Sequence, residues 1–311
     1  MKKNWLLILS LLGILAVTGL SLGLYFTFRA PPVSGVTITD DLGRAVYISG
    51  IPQRIVSHVP GITETIFALG LEEKVVGVSD YCDYPEEAKL KPSIGDYFNP
   101  SIEKIVELNP DLVLTDGHSQ SITQLDSLGI KYMVLQPKDL DGILGDIELL
   151  GKATGVERKA KKLVSDMQKD MAYVLARVKD APRLRVLYII DATDPNNPWT
   201  AGPGSLIDSL ITMAGGENIA AGAQGAWVQF SLETVVASDP EIIILPAKHG
   251  TAFTPPEALK KHPTWRETTA VKKDKIYVID ADLIDRPGPR IIQGLEEIAG
   301  IIHPELFQEG I

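Results

Sequence analysis

The sequence predicts an α/β fold of two similar lobes, each built on a mainly parallel sheet, joined by one long rigid helix. Three observations carry this. Two stretches 130 positions apart repeat one phrase, SIEKIVELNPDLVL from Ser101 and SLETVVASDPEIII from Ser231. Strand-like and helix-like runs alternate on both sides of the chain's middle, the pattern of βαβ units. Between the two halves lies a stretch with helical spacing and no strand. Each copy of the phrase reads as a Ser-capped helix with apolar residues at i, i+3 and i+4, stopped before proline and followed by a buried strand.

The elements follow in order. Residues 5–28 are uncharged and mostly apolar behind Lys2 and Lys3. A cleaved signal has an apolar core of about 7–15 residues and a spanning helix needs about 20, so the length favours a retained membrane anchor. The lysines then stay cytoplasmic and the globular part lies outside. Cleavage after a small residue such as Gly19 would instead release the chain into the periplasm. No cysteine stands nearby, which excludes a lipid-modified N-terminal cysteine, and Pro31-Pro32 begins a stiff spacer. Residues 35–50 alternate around Asp40-Asp41 as a small hairpin. Strands at 54–57, 75–78, 112–115 and 132–135 then alternate with helices at 63–69, 101–108 and 121–128.

From about 140 to 179 the strands vanish, and a helix over 156–179 would span roughly 35 Å, a stiff rod that leaves little room for hinge closure. Pro182 ends it. Strands at 186–190, 242–245 and 276–279 follow, with helices at 206–214, 232–237 and 291–302. The expected organisation is an anchor or signal with spacer at 1–34, an N-terminal lobe at 35–138, connecting helices at 139–182 and a C-terminal lobe at 183–311. Pro60-Gly61 and Pro203-Gly204 introduce matching helices, with Glu64 early in the first and Glu217 just after the second. A first-turn carboxylate suits the helix dipole, so Glu64 by itself reads as capping.

Composition removes several functions. The formal net charge of −10 offers no basic face for nonspecific nucleic-acid binding. One cysteine, Cys82, excludes an internal disulfide and a multi-thiolate zinc site, and reads as a small buried side chain. The five histidines show no HExxH pair or close spacing; His262 and His303 precede prolines and read as surface turn residues. No GxxxxGK[ST], GxGxxG or GxSxG motif appears, and Asp282 with Asp285 as a general acid–base pair competes with their ordinary use in turns, so catalysis is not expected.

Ligands of parallel α/β sheets gather beyond the carboxyl ends of the strands. There the sequence offers His58, then Asp80 to Tyr84 including Tyr81, then Asp116 to His118, and in the second half Trp199, Asp282, Asp285 and Arg286. Tyr97-Phe98 and Trp227 precede the two copies of the repeat at matching places. Facing aromatics suit a bulky, partly flat organic ligand better than a bare metal ion. His58 is the candidate axial ligand to a porphyrin or corrin metal, against a hydrogen-bonding role within its loop.

The runs RIVSHVPGITETIFALG (54–70), VGVSDYCDYPEEA (76–88) and NPSIEKIVELNPDLVL (99–114) resemble class III solute-binding proteins of ABC importers, the group that binds cobalamin, ferric siderophores and haem. The resemblance runs from about Asp40 to the C-terminus. SDYxDYP and DxxxRPGPR (282–290) look most like the cobalamin-binding branch. It implies two Rossmann-like lobes, a monomeric receptor without cofactor or catalysis, and a permease with ATPase subunits as partner. By resemblance, Tyr81, Tyr97, Trp199 and Trp227 hold a corrinoid, Asp282 and Arg286 form a polar pair at the cleft's far wall, and Glu64 and Glu217 dock on permease arginines. Tyr97 stands where cobalamin binders can carry tryptophan, and His58 where the family more often has an apolar residue. Haem or siderophore capture therefore stays open, as does, from another class, a corrinoid-processing enzyme.

Overall fold

The computed structural model describes residues 35–248 and 251–307; the expected membrane segment at 5–28 lies outside them. Among the described residues no helix is long and apolar enough to cross a membrane.

The first half holds an antiparallel hairpin, β1 (Val36–Thr39) with β2 (Ala45–Ile48), and the parallel strands β3 (Ile55–Ser57), β4 (Val75–Val78), β5 (Leu112–Thr115) and β6 (Tyr132–Val134), ordered β4-β3-β5-β6. The second half holds β7 (Leu184–Tyr188), β8 (Trp199–Ala201), β9 (Gly216–Asn218), β10 (Trp227–Gln229), β11 (Ile242–Lys248), β12 (Thr251–Ala252) and β13 (Ile276–Asp280). Here β9, β7, β11 and β13 are neighbours in that order and parallel, β12 adds an antiparallel edge to β11, and β8 with β10 forms a separate ribbon. Both parallel sheets thus share one strand order, second-first-third-fourth, which is the expected duplication seen in topology.

The repeated phrase explains how each lobe is pinned. Ser101 and Ser231 accept the N–H groups of Lys104 and Thr234, three residues on, at 3.3 and 3.2 Å. The helices they cap, Ile102–Glu107 and Leu232–Ser238, end at Asn109 and Asp239, both at φ +44°, a left-handed conformation that Asn and Asp tolerate. Free carbonyls at a helix end need donors. Arg54 supplies them to Leu108 and Asn109, and Arg185 to Ser238 and Asp239. The carboxylate beyond each proline answers in the other direction: Asp111 accepts from Arg54 N–H at 2.9 Å and Glu241 from Arg185 N–H at 3.1 Å. In each lobe the first strand is therefore tied to the helix that leads into the third.

The connecting segment is two helices, Leu140–Thr154 and Glu157–Val178, reversed at Gly155 with φ +75°. They approach closely where a Cβ on Gly151 would lie 2.4 Å from that of Ala160. The second helix matches the expected rod and, at 22 residues, is about 33 Å long. Its buried face, Ala160, Val164, Met167, Val174 and Val178, belongs to one continuous core that also holds Ile66 of the first lobe and Leu295 of the second. Backbones touch as well: a Cβ on Gly61 would meet the Pro287 carbonyl at 2.5 Å.

Three differences from the sequence reading stand out. The first strand of the second half sits at 184–188, two residues early, and β9 appears where no strand is expected, since Gly-Glu-Asn carries no apolar run. His303 is buried, with Nε2 3.3 Å from the Gly215 carbonyl, and is no surface turn residue. Cys82 is buried as expected, its sulfur beside Thr63 and Ser79.

Candidate functional site

A cavity of about 640 Å³ lies between the lobes, within the ordinary range of ligand clefts. One wall carries Tyr81, Tyr97 and Phe98, the other Trp227, Arg286 and Pro287. Tyr97 and Phe98 follow Gly95 (φ +95°) in the loop leading to the Ser101-capped helix; Trp227 follows Gly225 (φ +108°) in the matching loop of the second lobe. The same tight turn therefore delivers an aromatic ring from each copy. Phe98 meets Tyr97 edge-on at 4.9 Å between centroids, and Tyr81 meets both rings at 6.2 and 6.5 Å. Trp199 is not among the lining residues. It pairs with Gln229 while Trp227 pairs with Ala201, and partners in an antiparallel ribbon share a face, so both indoles stand on one side of it.

His58 does not enter the cleft. It is fully buried; Nε2 is 2.7 Å from the Tyr97 carbonyl and Nδ1 is 3.0 Å from the Thr115 hydroxyl. A carbonyl only accepts, so Nε2 carries the proton and Nδ1 accepts from Thr115. Burial holds the imidazole below its usual range despite the bond to Tyr97. With both nitrogens engaged, His58 cannot coordinate a ligand's metal; it is a post that stacks on Tyr97 at 5.2 Å and fixes the Tyr97 loop. On its far side the Tyr97 hydroxyl donates to Asp116, which His118 Nδ1 also approaches at 3.3 Å. Burial, then the Asp116 partnership, pushes the Tyr97 phenol well up, so it stays a neutral ring.

The expected docking residue Glu64 is also elsewhere. It is 3% exposed, and its oxygens lie 2.8 and 2.7 Å from Arg290 Nε and Nη2, with Arg286 Nη1 at 3.5 Å. Both oxygens accept from Arg290 of the other lobe, so in this structure Glu64 is buried in an inter-lobe contact. Arg286, 8% exposed, is bonded in turn to Asp83 at 2.6 Å and Asp282 at 2.9 Å, and Arg290 lies over the Tyr84 ring at 3.8 Å. The Asp282–Arg286 pair thus exists, but as part of an inter-lobe ion cluster; Arg286 lines the cleft and Asp282 does not. Glu217 is exposed on the edge strand β9, in no position related to Glu64 by the duplication.

The cavity lining is acidic. It contains Asp116, Asp146 and Asp285, and its arginine is Arg286, already committed. Burial and then the Asp282 charge push Asp285 up to about 6; burial and then the Asp41 charge push Asp146 up to about 8. Sequence reading passed over Asp146 and Arg290. The signal for Asp146 was available, a carboxylate between Ile143 and Leu150 on an otherwise apolar stripe. Arg290 closes the DxxxRPGPR motif, but its role was not legible there because its partner lies 226 residues away. Among the described residues no group of three or more His, Cys, Asp and Glu could hold a metal ion.

The family described as periplasmic binding protein matches residues 55–283. The chain is 35% identical over 282 residues to YvrC, an uncharacterized ABC transporter substrate-binding lipoprotein of Bacillus subtilis, covering 88% of this chain and 87% of that protein. A vitamin B12-binding protein of Vibrio vulnificus is 27% identical over 253 residues, covering 79% and 88%. Among solved structures, the periplasmic heme-binding protein RhuT of Roseiflexus in apo form superposes with a TM-score of 0.72 at 29% identity, covering 82% of this chain and 99% of that one.

Removing one member of a buried ion cluster leaves uncompensated charge. Glu64→Ala should therefore cost about 3–5 kcal/mol in urea unfolding. Glu64→Leu with Arg290→Met should recover most of that loss. A cost below about 1 kcal/mol, the worth of an exposed ion pair, would refute the clamp.

Proposed function

Since the chain belongs to the periplasmic binding protein family and is a substrate-binding protein of an ABC importer rather than an enzyme, we propose that its cargo is a cobalamin-like corrinoid gripped between Tyr81, Tyr97, Phe98 and Trp227. The observation that carries this choice is the charge of the cleft. Three carboxyl groups line it, Asp146 and Asp285 raised toward neutrality by burial, and the arginine beside them is saturated by Asp83, Asp282 and Glu64. Haem presents propionates, and many ferric siderophores are anionic; either would bring negative charge to a wall with no uncommitted arginine. A corrinoid presents a large flat macrocycle edged with neutral carboxamides, which suits aromatic walls and hydrogen-bonding acids. The relative named as a vitamin B12-binding protein supports the same choice. Residues 5–28 tether the receptor outside the cytoplasmic membrane in this reading, and Trp199 shields the rim of the cleft.

Docking on the permease falls, in this reading, to Glu103 and Glu233. Both are exposed, both sit in the first turn of the repeated helix, and the duplication relates them as it relates Tyr97 and Trp227. Helix N-termini in βαβ units lie at the carboxyl edge of the sheet, so the two acids flank the mouth of the cleft.

Desalting after incubation with cyanocobalamin, hemin or a ferric hydroxamate siderophore, followed by a visible spectrum, tests the cargo. Corrinoid bands should persist and no Soret band should; a retained Soret band without corrinoid would contradict the reading. Reversing Glu103 and Glu233 together to lysine should lower uptake at least about tenfold while leaving corrinoid affinity intact. Normal uptake by that variant, with loss on Glu217→Lys alone, would return the docking role to Glu217.

A further inference from the structure

Asp146 occupies a place where the helix calls for an apolar side chain. It lies on Leu140–Thr154 among the buried Leu140, Ile143, Leu144, Ile147 and Leu150, and is itself 8% exposed. Its Oδ2 is sealed from solvent and has no hydrogen-bond partner among the described residues. Yet the residue lines the cleft, beside Gln136, Ile143 and Leu150. A buried polar atom left without a partner is costly, and its retention points to something it serves.

The charged neighbour is Asp41, which is anchored by accepting the Gln136 backbone N–H. Two adjacent carboxyl groups in a poorly solvated place cannot both ionise, so the pair keeps one proton near neutral pH. Burial first, and the Asp41 charge second, are why Asp146 rises to about 8. The other titratable groups of the lining are occupied: Asp116 by Tyr97 and His118, Arg286 by Asp83 and Asp282. Asp285 belongs to the opposite lobe, where burial and Asp282 act on it.

Of the two carboxyl groups only that of Asp146 belongs to the cavity lining, where it is the acceptor nearest the cargo, and Asp41 stands behind it. A primary carboxamide supplies N–H donors to such oxygens without adding charge. A carboxylate supplies only acceptors and brings another negative charge against Asp41. We propose that Asp146, backed by Asp41, is the residue by which the cleft recognises a peripheral primary carboxamide of its cargo and rejects the corresponding carboxylate. This assignment rests on the corrinoid reading above and deepens it: the cargo class becomes amide-complete corrinoids, with corrinoid acids excluded.

The test measures equilibrium binding of cyanocobalamin and of each of its monocarboxylic acid derivatives, in which one peripheral amide has been hydrolysed. The wild-type protein should bind one of these isomers at least about tenfold more weakly than cyanocobalamin, with smaller losses for the others. Asp146→Leu should weaken cyanocobalamin about tenfold and flatten the difference between the isomers. Asp146→Asn, which keeps size and hydrogen-bonding capacity, should hold cyanocobalamin within about threefold, so the comparison survives if the leucine variant fails to fold. Equal affinity of wild type for cyanocobalamin and every monocarboxylate overturns the inference, as does an Asp146→Leu protein that keeps both affinity and discrimination. A wild-type protein that retains no cobalamin at all overturns the cargo assignment itself and this inference with it.

Discussion

The ion cluster of Glu64, Arg290, Arg286, Asp83 and Asp282 is the constraint on which the rest of the molecule depends. Glu64 and Asp83 come from the first lobe, the two arginines and Asp282 from the second, and the key distances run from 2.6 to 2.9 Å. Desolvating such groups is costly, so a cluster of this kind is better understood as fixing one arrangement than as adding net stability. Here it fixes the lobes. The backbone approach of Gly61 to Pro287 sits beside it, and the helix Glu157–Val178 braces the opposite side through the shared core. A binding protein built this way offers its ligand a preformed cleft instead of closing over it, which lowers the ordering cost of capture.

The same cluster sets the chemistry of the cleft. Arg286 spends its charge on Asp83, Asp282 and Glu64, and among the described lining residues the other basic side chain is His118, beside Asp116. What remains is a set of rings held edge to edge by a rigid post, His58, and carboxyl groups raised toward neutrality by burial. Rings beside a committed arginine, together with half-neutralised acids, are what the proposed reading matches to a large, flat, amide-bearing molecule.

Much of this architecture is legible in the sequence, and the parts that are not share a cause. The duplication is written in contiguous residues: Ser101 and Ser231 cap, Asn109 and Asp239 turn, and a proline and an acid follow, so local chemistry announces the lobes. Tyr97 and Trp227 precede their copies by the same number of residues and do reach the cavity, whereas Trp199 is not among its lining residues. Contacts between lobes are another matter. Glu64 looks like a helix-capping or docking acid until Arg290, far along the chain, takes both of its oxygens. His58 looks like a metal ligand until the Tyr97 carbonyl and Thr115 hydroxyl claim both nitrogens. β9 is too short and polar to show a strand pattern; only its pairing with β7 makes it one.

Selection of a neutral, amide-edged macrocycle by this latched aromatic cleft, as proposed above, can be tested by competition. The protein would be saturated with an equimolar mixture of cyanocobalamin and hemin, freed of excess ligand, and analysed by native mass spectrometry. One cyanocobalamin per chain, with hemin excluded, is the expected result. A chain that carries hemin in preference to cyanocobalamin would contradict the account.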